Sequence, residues 1–297
     1  MPATLTRGNL FPSNVESAIF NTARMHSSIA KLSGQTPVPF NGSDIFTFGL
    51  DNHAAIVGES NAKPNTGATV GKVKVKPVKI VLQFRTSDEF MTASEEYQLG
   101  VLEAFQEAAS REVAYALDVM AMHGVDPKTG QPASSTIGDN HLDAKVTNKV
   151  VYDAANADTN IDDAVTLVEA AEYDVTGLAM APAMRGAIAA LKTGSNGRKY
   201  PEFAWGGCPD KLGAMTVDSN KTVSANSNKD RAIVGDFDAA FKWGFAKGLT
   251  YDIIEYGDPD GQGTDLKANN EICLRAEAYI GWGILDPRAF ARIEASA

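Results

Sequence analysis

Apolar residues occupy every second position over a long stretch near the C-terminus. From Ile272 to Ile284 every even-numbered residue is apolar, whereas the odd-numbered positions from Glu271 to Gly283 are mostly polar residues or glycine. A period of two residues predicts one β-strand with one face on a core and the other face partly in water. At about 3.4 Å per residue this strand would span roughly 45–50 Å, against about 17–20 Å for a common strand. We therefore expect an extended, plate-like molecule.

The composition excludes several classes of protein. The chain has 297 residues, of which 44% are hydrophobic, enough to form a sizeable core. It contains no apolar run of about 18 residues, so we expect no membrane-spanning segment. The net charge of −10 argues against a dedicated nucleic-acid-binding module, which would need a basic surface. The first residues lack the apolar stretch of a secretion signal, and Cys208 and Cys273 are predicted to be reduced thiols.

The first part of the chain predicts an arm followed by a long hairpin. A modest amphipathic helix is expected from about Asn14 to Leu32, and prolines then favour extended chain up to residue 43. In the hairpin, predicted over residues 44–85, Phe46 and Phe48 alternate on the outgoing strand. On the return strand the apolar phase changes after Pro77, which predicts a bulge or a bend at that residue.

Lysines alternate with valines on the return strand of the hairpin, and two interpretations are open. Edge-strand lysines can prevent unwanted strand pairing. The same lysines could dock on the acidic surface of a neighbouring copy of the chain. Under the second interpretation, the candidate inter-subunit contacts are Glu59, Lys63, Lys72, Val73, Lys74, Val75 and Lys76.

A long helix and a second lobe follow the hairpin. The pattern Thr92-x-x-Glu95 predicts a capping box, apolar residues recur at helical spacing, and Gly124 is expected to end the helix. At 1.5 Å per residue this helix is roughly 45 Å long, similar to the terminal strand, and we expect the two to pack together. Mixed helix and strand signals follow; the strands expected in the later part are Ala214–Val217, Arg231–Phe237, Phe241–Phe245 and Leu249–Tyr256.

The sequence contains no recognisable catalytic or metal-binding pattern. The four histidines are scattered singly, and His123 is expected at a helix end without a catalytic role. Asp258 and Asp260 resemble the first half of a calcium loop, but the twelfth position is Asn269 instead of glutamate. We therefore predict no catalytic residue, no cofactor and no metal, and we expect the protein not to be an enzyme.

Taken in order, these segments resemble the major capsid proteins of tailed bacteriophages with the HK97 fold. The arm, the hairpin and the long helix correspond to that family's N-arm, E-loop and spine helix. Further similar segments are His123–Pro132, Ala181-Pro-Ala-Met184, Leu191–Phe203, Ile233-Val-Gly-Asp-Phe237, Leu274-Arg-Ala-Glu277 and Asp286-Pro-Arg-Ala-Phe290. The resemblance implies an α+β, HK97-like capsid fold. Its divisions are an N-terminal arm (1–43), an E-loop hairpin (44–85), a P-domain with the spine helix (86–150), an A-domain (151–262) and a closing P-domain strand and tail (263–297).

The resemblance also implies a function and partners. Copies of the chain would assemble as pentamers and hexamers into an icosahedral shell around double-stranded phage DNA, which the shell contacts only non-specifically. Because the arm begins almost at Met1, two expectations are open: scaffolding comes from a separate protein, or a scaffolding segment has already been removed. A portal is expected as a further partner and a decoration protein as an optional one, and no membrane is involved. The protein would be found in the virion capsid, and in the host cytoplasm during assembly.

Two alternatives to this function remain open. An encapsulin-type bacterial compartment would share the fold and enclose an enzyme, but the extended arm and the long E-loop favour the phage shell. A soluble α+β enzyme is the more remote alternative, since the sequence shows no pairing of nucleophile and base.

Overall fold

A computed structural model describes residues 26–50, 53–65, 67–227 and 229–296. The strands are β1 (Ser43–Leu50), β2 (Ala68–Val75), β3 (Val78–Ser87), β4 (Lys149–Val151), β5 (Gly177–Met180), β6 (Lys211–Leu212), β7 (Met215–Ser219), β8 (Asp230–Gly235), β9 (Phe241–Ile254), β10 (Glu271–Ile284) and β11 (Phe290–Glu294). The α-helices are α1 (Ser28–Leu32), α2 (Glu95–His123), α3 (Leu142–Lys145), α4 (Ala157–Glu169) and α5 (Pro182–Ala190). Residues 14–25 of the predicted arm helix lie outside the described residues.

The long terminal strand, β10, is the centre of a three-stranded antiparallel sheet with the order β3-β10-β9. Its even-numbered side chains, from Ile272 to Ile284, are all buried, which confirms the period-two prediction. The sequence predicted two separate strands where β9 is continuous. Two register shifts, opposite Glu277–Tyr279 and Tyr279–Ile280, are β-bulges that interrupt the apolar phase without ending the strand.

Helix α2 lies on the even-numbered face of β10. Ala109, Val113 and Leu117 belong to the same apolar core as Ala278 and Ile280. Towards the other end of the sheet, Leu102 packs with Ile272 and Leu274. The predicted pairing of the long helix with the long strand is therefore confirmed.

The N-terminal cap of α2 differs from the prediction. Ser94, not Thr92, is the cap residue, and its hydroxyl accepts the backbone N–H of Tyr97 at 3.4 Å. Thr92 instead belongs to the preceding 3₁₀ turn, where its hydroxyl donates to the carbonyl of Glu89. The C-terminal end is as predicted, with Gly124 in the left-handed conformation at φ 65°.

The hairpin changes its partner at Pro77. β1 pairs with β2 in a separate two-stranded sheet, whereas β3 pairs with β10 over ten residue pairs. Because proline has no N–H to donate, Pro77 suits the break between the two strands. The predicted bend is confirmed, and only the part before Pro77 leaves the body of the molecule as a hairpin.

A six-stranded sheet forms the second lobe, with the order β4-β11-β8-β5-β7-β6. Its central strands β5, β8 and β11 are buried on both faces, because alternate residues point into different cores. Leu178 and Val234 face α4 and α5, whereas Ala179 and Ile233 face the core that contains α2. In the described part of the chain, no helix is both long and apolar enough to cross a membrane.

Candidate functional site

β1 and β2 form a two-stranded ribbon whose two faces differ in character. Residues that pair across the ribbon share a face, so Phe46 lies beside Lys72, and Phe48 beside Val70. The opposite face carries Ile45, which pairs with Val73. We call the first the outer face and the second the inner face, because only the second packs on the body of the molecule.

The inner face rests on two glycines of β10. A Cβ on Gly283 would lie 2.8 Å from Cγ2 of Val75 and 3.3 Å from Cγ1 of Val73. A Cβ on Gly281 would lie 3.1 Å from Cγ1 of Val75 and from Cγ1 of Val38. Glycines at these odd-numbered positions make room for the base of the ribbon, so this end of β10 is covered on both faces.

The outer face displays a large apolar surface. Phe46, Phe48 and Val70 are 69%, 68% and 66% exposed. Lys72 borders this surface and forms an ion pair with Asp44, with Nζ and Oδ2 2.8 Å apart. Monomeric proteins seldom leave contiguous aromatic surface in water, so the outer face is a candidate interaction surface.

The seven residues predicted from the sequence do not share one environment. Glu59 and Lys63 are exposed in the segment that joins β1 to β2, Lys72 and Lys74 are exposed on β2, and Lys76 is exposed directly after it. Val73 is half-buried, whereas Val75 is 1% exposed and belongs to the chain's own core. The surface open to a neighbour is therefore that of the charged residues, together with the aromatic residues of β1.

Helix α2 presents an acidic surface to solvent. Its exposed carboxylates are Glu95, Glu96, Glu103, Glu107 and Glu112. This helix contains no lysine and one arginine, Arg111, which forms an ion pair with Glu107. A groove of about 610 Å³ runs between this helix and β3, with the half-exposed Val81 and Phe84 along one wall.

A buried ion-pair network joins the end of α2 to the second lobe. Nη2 of Arg292 lies 2.8 Å from Oδ1 of Asp230 and 3.0 Å from Oδ1 of Asp143. Nδ1 of His123 lies 3.0 Å from Oδ2 of Asp143, and its Nε2 lies 2.8 Å from the carbonyl oxygen of Thr222. Both ring nitrogens of His123 thus face acceptors, a geometry that favours the doubly protonated imidazolium.

Opposing effects set the protonation of this network. Burial disfavours the charged form of His123, but the hydrogen bond and charge of Asp143 outweigh it and raise the pKa of His123 above its usual value. Burial raises the pKa of Asp230 to about 7, although its hydrogen bond with Arg292 acts in the other direction. His123 is the last residue of α2, so its predicted position at a helix end is confirmed. The sequence did not indicate that it is 4% exposed and contacts Asp143, Thr222 and Asp230.

The network is a poor site for a metal ion. Ligand-type atoms of His123, Asp143 and Asp230 lie within 4.8 Å of one another, a spacing that a cation could bridge. The guanidinium of Arg292 already provides positive charge to both carboxylates, and a metal ion would have to displace it. We interpret the network as structural, because a buried carboxylate without a partner is strongly destabilising.

A second buried carboxylate, Asp118 of α2, holds the described end of the N-terminal arm. It accepts the backbone N–H groups of Ser28 and Ile29 at 2.9 and 3.0 Å, and the hydroxyls of Ser27 and Thr222 at 2.5 and 2.7 Å. Burial raises the pKa of Asp118 to about 6, although these hydrogen bonds act in the other direction. The carboxylate thereby provides acceptors at the start of α1, where backbone N–H groups have no partner within the helix.

The loop that resembled half of a calcium site is closed by an arginine. Arg85 of β3 forms ion pairs with Asp258 and Asp260, and its Nη1 lies 3.2 Å from Oε2 of Glu271. The backbone N–H groups of Gln262 and Gly263 donate to Asp258. The carboxylates are thus occupied by internal donors that fasten the loop to the end of the sheet.

Comparison with known proteins gives a match along almost the whole chain. Residues 7–295 match the model of the phage capsid family. None of the curated protein sequences matches the chain.

Solved structures with the same architecture extend this finding. A structure from Mycobacterium phage Ogopogo has a TM-score of 0.79 and 30% sequence identity, covering 91% of this chain and 92% of that chain. A structure from Gordonia phage Cozz has a TM-score of 0.75 and 26% identity, with 91% and 87% covered. The capsid of a native GTA particle, computed with C5 symmetry, has a TM-score of 0.62 and 16% identity, with 93% and 91% covered, which shows the fold alone.

Proposed function

This chain belongs to the phage capsid family and is a major capsid shell protein with an HK97-type fold, and we propose that its copies assemble as pentamers and hexamers into an icosahedral shell around double-stranded phage DNA. Closed symmetry lets identical non-covalent contacts complete such a shell. The matches to phage and GTA capsids support a virus-type shell over a bacterial compartment.

The observation that carries the proposal is the outer face of the ribbon. An aromatic surface at Phe46 and Phe48 that stays 68–69% exposed in one chain needs a partner to cover it. We propose that it lies on the neighbouring copy, over the groove between α2 and β3 and beside the acidic surface of α2. Lys72, Lys74 and Lys76 on the ribbon and Glu103, Glu107 and Glu112 on the helix are complementary in charge.

The finer divisions and partners are part of the same proposal. The E-loop leaves the P-domain at Pro77, the A-domain is built on the six-stranded sheet, and a separate scaffolding protein, a portal and a decoration protein act with the shell. The shell functions as a container without catalysis and assembles in the host cytoplasm. Its negative charge keeps the packaged DNA from adhering strongly to the wall.

Electron microscopy of the purified protein at high concentration tests this function. We expect closed particles with fivefold and sixfold capsomers, and DNA inside particles isolated from infected cells. Particles that contain a protein cargo in place of DNA would favour the compartment, and a protein that stays monomeric at high concentration would contradict the shell.

A further inference from the structure

One of the three tryptophans of the chain lies almost entirely in solvent. Trp243 and Trp282 are each 1% exposed, whereas Trp205 is 95% exposed. The backbone of Trp205 is in the left-handed region, at φ 59° and ψ 28°. Residues other than glycine adopt this conformation only at a cost in energy. The large apolar side chain is thus displayed by a conformation that the surroundings must enforce.

Several contacts hold this turn in place. Nη1 of Arg185 donates to the carbonyl of Gly206 at 2.6 Å, and Gly207 donates its N–H to the carbonyl of Ala204 at 3.0 Å. A Cβ on Gly207 would lie 2.5 Å from the carbonyl oxygen of Glu202, so the turn closes tightly there. A turn whose backbone is already held in place loses little conformational freedom on binding, which suits the position of an anchor residue.

A cation covers one face of the exposed ring. The guanidinium carbon of Arg198 lies 5.4 Å from the centroid of the Trp205 indole, and its Nη1 donates to the carbonyl of Ala189 at 3.0 Å. We call this pair the Trp205 knob. Between residues 191 and 207 the basic side chains Lys192, Arg198 and Lys199 outnumber the one acidic side chain, Glu202, although the chain as a whole is acidic.

The outer face of α4 in the same lobe has the complementary character. Asp162, Asp163 and Glu169 are exposed along it, and Leu167 is 37% exposed. Residues four apart in a helix are surface neighbours, so Asp163 lies beside Leu167. This surface offers an apolar contact for an indole next to a carboxylate for a guanidinium.

We infer that the Trp205 knob of one copy docks on the outer face of α4 of a second copy, with the indole over Leu167 and Arg198 facing Asp163. The inference rests on the proposed function insofar as it requires self-association. The two surfaces differ, so the contact is heterologous, and repeated heterologous contacts close into rings when the rotation between copies permits. Within one chain the indole is 95% exposed and Leu167 is 37% exposed, so both retain apolar surface that a second copy could cover.

The fluorescence of Trp205 reports on this contact directly. Because Trp243 and Trp282 are buried, acrylamide should quench mainly Trp205 in the unassembled chain. We expect the quenchable fraction to disappear when rings or shells form. The variant Trp205→Phe, which keeps an aromatic ring, should assemble but lack the quenchable signal from the start. A Trp205 that stays equally quenchable in the assembled protein would overturn the inference.

Variants separate the two surfaces. Trp205→Ala should fold with an unchanged urea midpoint and raise the concentration needed for assembly at least about tenfold, as loss of an interface anchor does. Arg198→Glu and Asp163→Arg should each weaken assembly, and their combination should restore it towards the parent level. Normal assembly of Trp205→Ala would contradict a role of the Trp205 knob in assembly. If the double variant Arg198→Glu, Asp163→Arg does not regain assembly, α4 is not the partner surface.

The outcomes also separate this inference from the shell function. If the parent chain forms shells and Trp205→Ala forms them equally well, the inference fails and the function stands. If the parent chain forms rings that depend on Trp205 but do not assemble into closed shells, the inference stands and the proposed shell function fails. If the parent chain does not associate at any concentration, both fail.

Discussion

The carboxylate of Asp118 accepts the backbone N–H of Ser28 at 2.9 Å, although the two residues lie ninety positions apart in the sequence. The same side chain accepts the N–H of Ile29, so a residue near the C-terminal end of the long helix caps a helix of the N-terminal arm. Because Thr222 also donates to Asp118, one buried carboxylate connects the arm, α2 and the second lobe.

Replacement of Asp118 by asparagine should destabilise the subunit. The amide nitrogen cannot accept a hydrogen bond, so at least one of the N–H groups of Ser28 and Ile29 would be buried without a partner, at a cost of about 1–3 kcal/mol. Urea unfolding at pH 7 measures this loss. Asp162→Asn, an exposed change of the same type on α4, is the control and should alter the free energy of unfolding by less than about 0.5 kcal/mol. Equal values for the two variants would show that Asp118 does not hold the arm.

The difference in stability between the parent chain and Asp118→Asn should depend on pH. Because the pKa of Asp118 is raised to about 6 by burial, the folded chain retains a proton between about pH 4 and pH 6 that the unfolded chain releases. This contribution to stability is fully present below pH 4 and is lost as the pH rises through 6. The variant lacks the titrating group. The free energy of unfolding of the parent chain, measured relative to that of Asp118→Asn, should therefore fall by up to about 3 kcal/mol between pH 4 and pH 7. A constant difference would mean that the hydrogen bonds keep the pKa of Asp118 near its ordinary value.

Gly244 is predicted to tolerate no side chain. A Cβ there would lie 1.8 Å from the carbonyl oxygen of Thr36, whose N–H donates to the carbonyl of Trp243 at 2.8 Å. Gly244→Ala should therefore displace the segment around Thr36 and destabilise the subunit by more than about 2 kcal/mol. Gly100→Ala, on an exposed position of α2 with no atom within 4 Å, should stabilise it by about 0.5–1 kcal/mol. Thermal unfolding of both variants checks the signs, and a neutral Gly244→Ala would refute the close approach.

The parts of the fold that were predicted from the sequence depend on local patterns. The burial of Ile280 and Leu274 follows from alternation within one strand, and the end of α2 follows from Gly124. The change of partner at Pro77 was visible because proline and a phase shift coincide there. Such signals are contained in consecutive residues, so one sequence suffices to find them.

The parts that were missed depend on residues distant in sequence. His123 gives no sign of its network, because the acceptors come from Asp143 and Thr222 and the compensating charge from Arg292. The burial of Val75 likewise depends on two glycines of β10, which from the sequence alone were assigned to a partly wet face. The exposure of Trp205 follows from a backbone conformation that no local pattern announces.

Removal of Arg292 should expose the dependence of the buried network on its cation. Arg292→Met retains much of the apolar stem but leaves Asp143 and Asp230 without their guanidinium partner, which we expect to destabilise the subunit by about 3–5 kcal/mol. Adding Asp230→Asn should recover part of this loss, because one uncompensated carboxylate is removed. The free energies of unfolding of the two variants test the network, and an additional loss in the double variant would contradict this account.

Charge reversal on the ribbon tests the proposed contact with the acidic helix of a neighbour. The triple change Lys72→Glu, Lys74→Glu, Lys76→Glu should raise the concentration needed for assembly, and added salt should act on the parent chain in the same direction. Each exposed ion pair contributes only about 0.2–1 kcal/mol, so single changes should have little effect. A control with the same change in net charge is the triple change Lys211→Glu, Lys221→Glu, Lys247→Glu at exposed positions elsewhere. If both triple variants assemble like the parent chain at low salt, Lys72, Lys74 and Lys76 only protect an exposed strand edge.

The change of partner at Pro77 also determines how the molecule bears mechanical load. β2 leads through Lys76 and Pro77 directly into β3, which pairs with β10 over ten consecutive residue pairs. A pull on the ribbon along this strand is perpendicular to the hydrogen bonds of the antiparallel ladder, so it loads them in shear and all at once. Tension that a neighbour applies to the ribbon is thus carried into β10, the central strand of the three-stranded sheet.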